Sequence, residues 1–230
     1  MKKNTFIISL GGSLIVPFSG IDWKFLKKFR ALILEQIRKD KKFFIIAGGG
    51  ATCRKYNIAA QKIISITSDD LDWIGIYSSY LNARLVKAMF RKMAYQGIIK
   101  NPTVRFRTKK KIIIGGGWRP GWSTDFVAAM IAGEYKAKTI INLSNIDYVY
   151  DKDPKKYKNA KKIKQINWVN FRQIVGSKWI PGLSSPFDPI AARKAEQLGL
   201  KVIIINGKKI KNLQNCLEGK KFKGTLISND

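Results

Sequence analysis

Three glycine clusters stand where backbone amides could do chemistry. Gly11-Gly12-Ser13, Gly48-Gly49-Gly50 and Gly115-Gly116-Gly117 each close a short apolar run. Glycine lets the backbone come close to a ligand, and successive bare N–H groups form a nest for an anion. Ser123-Thr124-Asp125 adds hydroxyls and free N–H groups at the start of a helix, a setting that suits phosphate. Arg54 follows the second glycine cluster, within the first turn or so of another helix. Together these residues point to a ligand carrying phosphates. The P-loop pattern G-x-x-x-x-G-K-[ST] is missing, and so is a clean G-x-G-x-x-G. The chain has no histidine, which removes His-based acid–base catalysis, His metal ligation and every His triad. No metal-ligand cluster is visible, so no metal site is assigned to the chain itself.

These loops need a scaffold, and the apolar runs supply one. Phe6–Leu10, Phe43–Ala47, Ile112–Ile114, Thr139–Leu143 and Val202–Ile205 read as strands. They stop at Gly11-Gly12-Ser13, Gly48-Gly49-Gly50, Gly115-Gly116-Gly117, Ser144-Asn145 and Asn206-Gly207. Nearly continuous Ile, Val and Phe suit strands buried on both faces of a parallel sheet. Ligands of such sheets bind outside the carboxyl ends of the strands.

Helices alternate with these strands. Asp22 caps a helix from Trp23 to Lys39, with Phe25, Leu26, Phe29, Leu32, Ile33 and Ile37 on one stripe. A long helical region is expected from about Asp70 to Tyr95. Another helix starts at Ser123-Thr124-Asp125, with Phe126, Val127, Met130 and Ile131 as its stripe. One more is expected near Trp168 to Val175. Asp188-Pro189 reads as an N-cap followed by an N1 proline for a helix to Leu198. Asn101 to Lys111 is basic and irregular, Asp147 to Lys164 is polar and turn-rich, and Gly182-Leu183-Ser184-Ser185-Pro186 is a loop. The alternation predicts an α/β fold with a mainly parallel sheet, as one domain over residues 1–230.

The chain carries 44 Lys and Arg against 15 Asp and Glu, a formal charge of +29. That excess suits an anionic partner, whether nucleotide, nucleic acid or membrane surface. It suits a solvated basic surface equally well, because the lysines are spread along the whole chain. The densest clusters are Arg105 to Lys111 and Lys155 to Lys164. No helix-turn-helix, zinc or RNP motif is visible. Cys53 and Cys216 are too few for a disulfide framework, which favours a cytoplasmic location. Lys2-Lys3 and the apolar stretch to Val16 could pass for a short signal peptide. A strand and its phosphate loop explain it better, because Gly11-Gly12-Ser13 interrupts the stretch. No apolar run approaches the ~20 residues of a membrane span, and no membrane partner is expected.

Taken in order, the motifs resemble a known family. Gly11-Gly12-Ser13, Gly48-Gly49-Gly50-x-x-x-Arg54, Asp72-x-x-Gly75, Pro120-Gly121-x-Ser123-Thr124-Asp125, Asn145-x-Asp147-x-x-Tyr150-x-x-Asp153-Pro154 and Asp188-Pro189 look like the amino acid kinase family. The likeness is nearest to its UMP kinases of the shorter, archaeal type. It runs from about residue 6 to Gly224-Thr225. Each motif alone is weak; their order and spacing are specific.

The resemblance implies a three-layer αβα sandwich and transfer of phosphate from ATP-Mg²⁺ to UMP. The acceptor would sit in the amino-terminal half and ATP in the carboxyl-terminal half. Gly12 and Ser13 would line the transfer loop, and Asp188 would organise the transfer centre. As a bare sequence feature Asp188 is only a helix cap. Gly49 would meet the UMP phosphate, while Gly50 and Arg54 would meet the ATP phosphates. Asp72 would accept hydrogen bonds from the ribose hydroxyls, and Gly75 belongs to the same element; read alone, Asp72 could equally be an N-cap. Trp118, Gly121, Trp122, Ser123 and Thr124 would wrap the acceptor nucleotide. Ser144, Asn145, Tyr150 and Asp153 would form the ATP site, although Tyr150 could also be core. Mg²⁺ would ride on the ATP phosphates. Relatives suggest a homo-oligomer, a homohexamer in particular.

The sequence also departs from the family. Many members carry a lysine two residues before the first glycine of the first loop; here that residue is Ser9. Arg119, between the third glycine cluster and Pro120-Gly121, is hypothesised to supply the missing cation. Tyr148 stands where the family has the glycine of an Asp-Gly pair. Other kinases of the family remain alternatives, though one that acts on isopentenyl phosphate relies on a histidine that this chain lacks. A different class is a non-catalytic nucleotide sensor whose basic surface binds nucleic acid.

Overall fold

The structure is a computed structural model that describes residues 4–105, 107–154, 156–178 and 185–229. In chain order its amino-terminal elements are β1 (Thr5–Leu10), α1 (Gly12–Ile15), α2 (Trp23–Arg38), β2 (Lys42–Ala47), α3 (Gly50–Ile63), α4 (Ser68–Phe90), β3 (Ala94–Ile99) and β4 (Ile112–Gly115). There follow α5 (Thr124–Glu134), β5 (Thr139–Ser144), β6 (Val149–Tyr150), β7 (Lys162–Ile163), β8 (Gln165–Ile166), α6 (Trp168–Val175), α7 (Pro189–Gln197), β9 (Lys201–Asn206), α8 (Ile210–Leu217) and β10 (Thr225–Ile227).

The main sheet has the order β3-β4-β2-β1-β5-β9-β10-β8. From β3 to β9 all neighbours run parallel; β10 lies antiparallel to β9. Side-chain alternation then builds two cores. Ile7, Phe44, Ile113, Ile140 and Val202 face α5, α6 and α7. Ile8, Ile45, Ile114, Ile141 and Ile205 face α2, α4 and α8. This is the expected αβα sandwich, and each apolar run is buried on both sides because helices cover both faces.

The local signals for the helices hold. The Asp22 carboxylate accepts from Phe25 N at 2.9 Å, and Asp188 caps α7 with Pro189 next. The expected stripe of α2 is buried except for the half-buried Ile37.

Two stretches differ from expectation. The long helix ends at Phe90, not Tyr95, because Arg91 turns left-handed at φ 49°. Ala94 and Tyr95 belong instead to β3, an edge strand. Its half-exposed residues and Gly97 give no continuous apolar run to recognise. The helix also starts earlier than Asp70. Thr67 is the cap and accepts from Asp70 N at 3.1 Å, so Asp72 is not an N-cap. Within the polar stretch 147–164 the chain pairs Val149–Tyr150 with Lys162–Ile163 as a small hairpin. Buried Thr225 pins it, accepting from Val149 N at 2.8 Å and donating to the Ile163 carbonyl at 2.5 Å. Of the expected loop 182–186, residues 182–184 lie outside the described residues. Among the described residues, no helix is long and apolar enough to cross a membrane.

Candidate phosphate-binding site

The chain leaves β1 toward β2 on one side, and β5 leads toward β9 on the other. The carboxyl ends of β1 and β5 therefore flank the crevice where parallel sheets bind ligands. Gly11 N donates to the Leu143 carbonyl at 2.9 Å across that crevice. The first and second glycine loops interlock backbone to backbone. A Cβ on Gly12 would lie 2.1 Å from Gly50 N, and one on Gly50 would lie 2.4 Å from Gly12 O. Gly50 also holds φ +66°, a conformation that favours glycine.

Gly50 opens α3, and the first N–H groups of a helix have no acceptor within it. Ala51 N is taken by the Val16 carbonyl at 2.8 Å. Arg54 stands on the next turn, with its guanidinium 5.1 Å from the Phe18 ring centre. Its Nε is buried, with no hydrogen-bond partner among the described residues. A buried charged donor left so is costly, and an anion at the start of α3 would relieve it. Asn82, on α4, braces this loop by donating to the carbonyls of Gly48 (2.8 Å) and Gly49 (3.0 Å).

The third glycine cluster behaves otherwise. Gly116 N donates to the Ile99 carbonyl at 3.2 Å and Gly117 N to Ser79 Oγ at 2.7 Å. A Cβ on Gly117 would come within 3.0 Å of Ile76 Cγ1. The expected nest on this strand is thus a packing joint between β4 and α4. The residues that follow it form a wall. Asp72 accepts from Gly121 N at 2.7 Å, the rings of Trp118 and Trp122 lie 6.0 Å apart, and Arg119 stacks 4.2 Å from Trp118. Gly75 brings α4 against α3: a Cβ on Gly49 would lie 3.3 Å from the Gly75 carbonyl.

Beneath the crevice sits a buried carboxylate. Ser9 and Asn142 are register partners on β1 and β5 and face the same side. Both reach the first turn of α5, where Asp125 accepts from Ser9 Oγ at 2.6 Å and from Asn142 Nδ2 at 3.1 Å. Burial pushes the Asp125 carboxyl up to about 6, against the pull of the Ser9 hydrogen bond. Asp188 N donates to Asp125 at 3.3 Å. The Asp188 carboxylate accepts from Ser123 Oγ and from Ile190 N at 2.8 Å, and burial raises its pKa as well. Thr124 faces the second loop, since a Cβ on Gly48 would lie 3.6 Å from its Oγ1.

Comparison with known proteins agrees with this fold. The model of the amino acid kinase family matches residues 4–206. The chain belongs to the amino acid kinase family. It is 34% identical to a uridylate kinase of Thermococcus sibiricus over 96% of this chain and 98% of that one. It is 31% identical to a uridylate kinase of Methanospirillum hungatei over 97% and 94%. Among solved structures, uridylate kinase from Archaeoglobus fulgidus superposes with a TM-score of 0.82 at 27% identity, over 98% of this chain and all of that one.

Within this family fold, Gly12, Gly49, Gly50, Arg54, Ser123 and Thr124 gather at one sheet edge, with Ser13 in α1. Asp72, Gly75, Trp118, Gly121 and Trp122 form the adjoining wall. Ser144 ends β5 opposite Asn206, and its carbonyl accepts from Gly207 N at 2.9 Å. Asn145 is exposed. Asp147 is held by Asn206 Nδ2 (2.9 Å) and Lys209 Nζ (2.6 Å), and the lysine bond lowers its pKa. Tyr150 lies in the hairpin tied to β10, and Asp153 is exposed in the turn after it, its carbonyl accepting from Tyr157 N. Asn82 and Ser79 were not singled out from the sequence, and Asp125 was named there only as part of the Ser123-Thr124-Asp125 motif, with no role of its own. For Asp125 a signal existed: Ser9 and Asn142 each interrupt an apolar run one residue from its end.

Proposed function

We propose that the chain transfers the γ-phosphoryl group of ATP to UMP, giving UDP and ADP, as a step of pyrimidine nucleotide synthesis. The observation that carries this reading is the buried, unpartnered Nε of Arg54 beside the start of α3. The archaeal relatives at 31–34% identity are named uridylate kinases.

In the reaction a UMP phosphate oxygen attacks the γ-phosphorus. The bond from that phosphorus to the β,γ-bridging oxygen breaks, and its electron pair leaves with ADP. The protein's task is positioning and charge stabilisation. Two unit charges 4 Å apart repel by about 4 kcal/mol at an effective dielectric of 20, so several donors must converge. The amides of Gly12, Ser13, Gly49 and Gly50 and the Arg54 guanidinium are assigned that role. Asp72 holds Gly121, and a carboxylate has about four lone-pair sites, so it could accept from the ribose hydroxyls as well. Ser123 and Thr124, at the start of α5, face the acceptor, and Asp188 positions Ser123. Ser144, Asn145, Tyr150 and Asp153 are assigned to ATP. Mg²⁺ is assigned to the ATP phosphates, where it offsets their charge; among the described residues no group of three or more Asp, Glu or Cys could cage it. Arg119 supplies the cation that Ser9 does not: Arg119→Ala lowers kcat, and an unchanged kcat removes it from the catalytic set.

We propose one kinase domain acting in the cytoplasm, with Cys53 and Cys216 unpaired. We also propose self-association, up to a hexamer, through the exposed aromatic face of α3 and α4 carrying Tyr56, Tyr77 and Leu81. Sedimentation of the wild type against Tyr77→Asp tests it: a monomer in both would remove that proposal.

The reaction is tested by a coupled nucleoside-diphosphate assay with ATP-Mg²⁺ and UMP, CMP, dUMP, AMP or GMP. Turnover on UMP alone is expected. Nucleotide binding without turnover would turn the reading to the sensor, which the loss of the first-strand lysine at Ser9 favours.

A further inference from the structure

The opposite edge of the sheet carries a cavity of its own. At the amino ends of β1 and β2, about 430 Å³ is lined by Thr5, Lys42, Arg105, Arg107, Thr108 and Tyr135. Thr5 and Lys42 begin the strands that end at the first two glycine loops. At roughly 3.3 Å per residue the two edges lie about 17 Å apart. This cavity is therefore separate from the crevice.

Its lining has the chemistry of an anion site. Three cations converge, and among the described residues none of them pairs with a carboxylate. The Lys42 ammonium donates to the Thr108 carbonyl at 3.2 Å and lies 5.8 Å from the Phe44 ring centre, and burial lowers its pKa. Its charge carries a desolvation cost that no carboxylate among the described residues offsets. Arg105 stacks 5.6 Å from the Tyr135 ring centre, and Tyr135 packs at 4.4 Å on Phe44, giving the cavity an aromatic floor. Thr108 Oγ1 accepts from Lys110 N at 3.1 Å, which leaves its hydroxyl hydrogen to donate. Three cations, a hydroxyl and a volume in the range of small-ligand pockets have the chemistry to take a compact polyanion.

We propose that this cavity is a second, non-catalytic site for a small anion carrying two or more phosphate groups. The proposal stands apart from the phosphoryl-transfer reading, because inorganic tripolyphosphate is neither donor nor acceptor in that reaction.

The test is calorimetric titration of the full chain with inorganic tripolyphosphate, and separately with ATP. The wild type should show two classes of site. Arg105→Ala with Arg107→Ala should abolish one class or weaken it by at least about tenfold per cation, with kcat on the nucleotide pair unchanged. Lys42→Gln should weaken the same class. Arg54→Ala should affect the other class alone. Tighter binding of ATP than of tripolyphosphate at the second class would identify a nucleotide ligand, and equal binding an inorganic polyphosphate; either supports the site. Unchanged titration of the double variant overturns it. So does an equal loss in Lys27→Ala with Lys28→Ala, which removes the same charge from the exposed face of α2.

Discussion

The second and third glycine clusters are the same three letters with different fates. Gly48-Gly49-Gly50 meets the Gly12 backbone and opens α3, beside an arginine whose Nε has no partner among the described residues. Gly115-Gly116-Gly117 spends its amides on Ile99 and Ser79 and packs against the side of α4. What separates them is the next element. A helix that begins at the glycines leaves amides open, while a helix that crosses them from the side consumes them. A glycine run therefore marks close approach of backbone, and only its neighbours decide whether a ligand or another element is approached.

This contrast can be broken at several points. The largest effect is expected at the interlock: Gly12→Ala drives a methyl into Gly50 N, costing about 3 kcal/mol or more and abolishing turnover. Gly117→Ala meets Ile76 at Cγ1 (3.0 Å) and at its backbone Cα (3.2 Å) and should cost about 2 kcal/mol with activity kept; urea unfolding and kcat measure both. If the two glycines prove equally sensitive, the contrast fails. Next in size, Arg54→Ala should lower kcat/KM at least a hundredfold, about 3 kcal/mol of transition-state binding. It should leave urea stability unchanged or raised, because a buried unpartnered donor is removed.

Asp125 gives a pH signature of similar size. Its folded pKa of about 6 lies above the ordinary 3.8, so the folded state holds the proton more tightly. Stability is full below about pH 3.8 and falls as pH rises through about 6, by about 3 kcal/mol. In Asp125→Asn that contribution to the slope should vanish, as urea midpoints at pH 4.5 and 7 would reveal. The smallest effect is expected at Ser79→Ala, which strips an acceptor from Gly117 N. It should cost about 1–2 kcal/mol while KM for the acceptor changes little. A large loss of kcat there would make the third cluster functional after all.

Much of this fold is legible in the chain because its signals are local. Asp22, Ser123 and Asp188 cap the helices they precede, and the runs around Ile8, Ile45, Ile114, Ile141 and Val202 are strands buried on both faces. The missed elements lack such signals. β3 is a half-exposed edge, and the hairpin of Val149 and Ile163 is held by Thr225, far along the chain. The site was legible as glycine loops plus Arg54. The buried role of Asp125 was not, because it rests on Ser9 and Asn142, 116 and 17 residues away.

The sequence by itself determined the order of the buried strands and the helices between them, the caps, the glycine-closed strand ends and the lack of any histidine. Each follows from a side chain or a missing Cβ acting on its own backbone. Only the tertiary structure decided that β1 lies between β2 and β5, and hence which residues meet. Period-two alternation assigns Ser9 and Asn142 to a face, but strand pairing sets them side by side beneath Asp125. The same pairing opens one glycine cluster toward the crevice and closes another against α4.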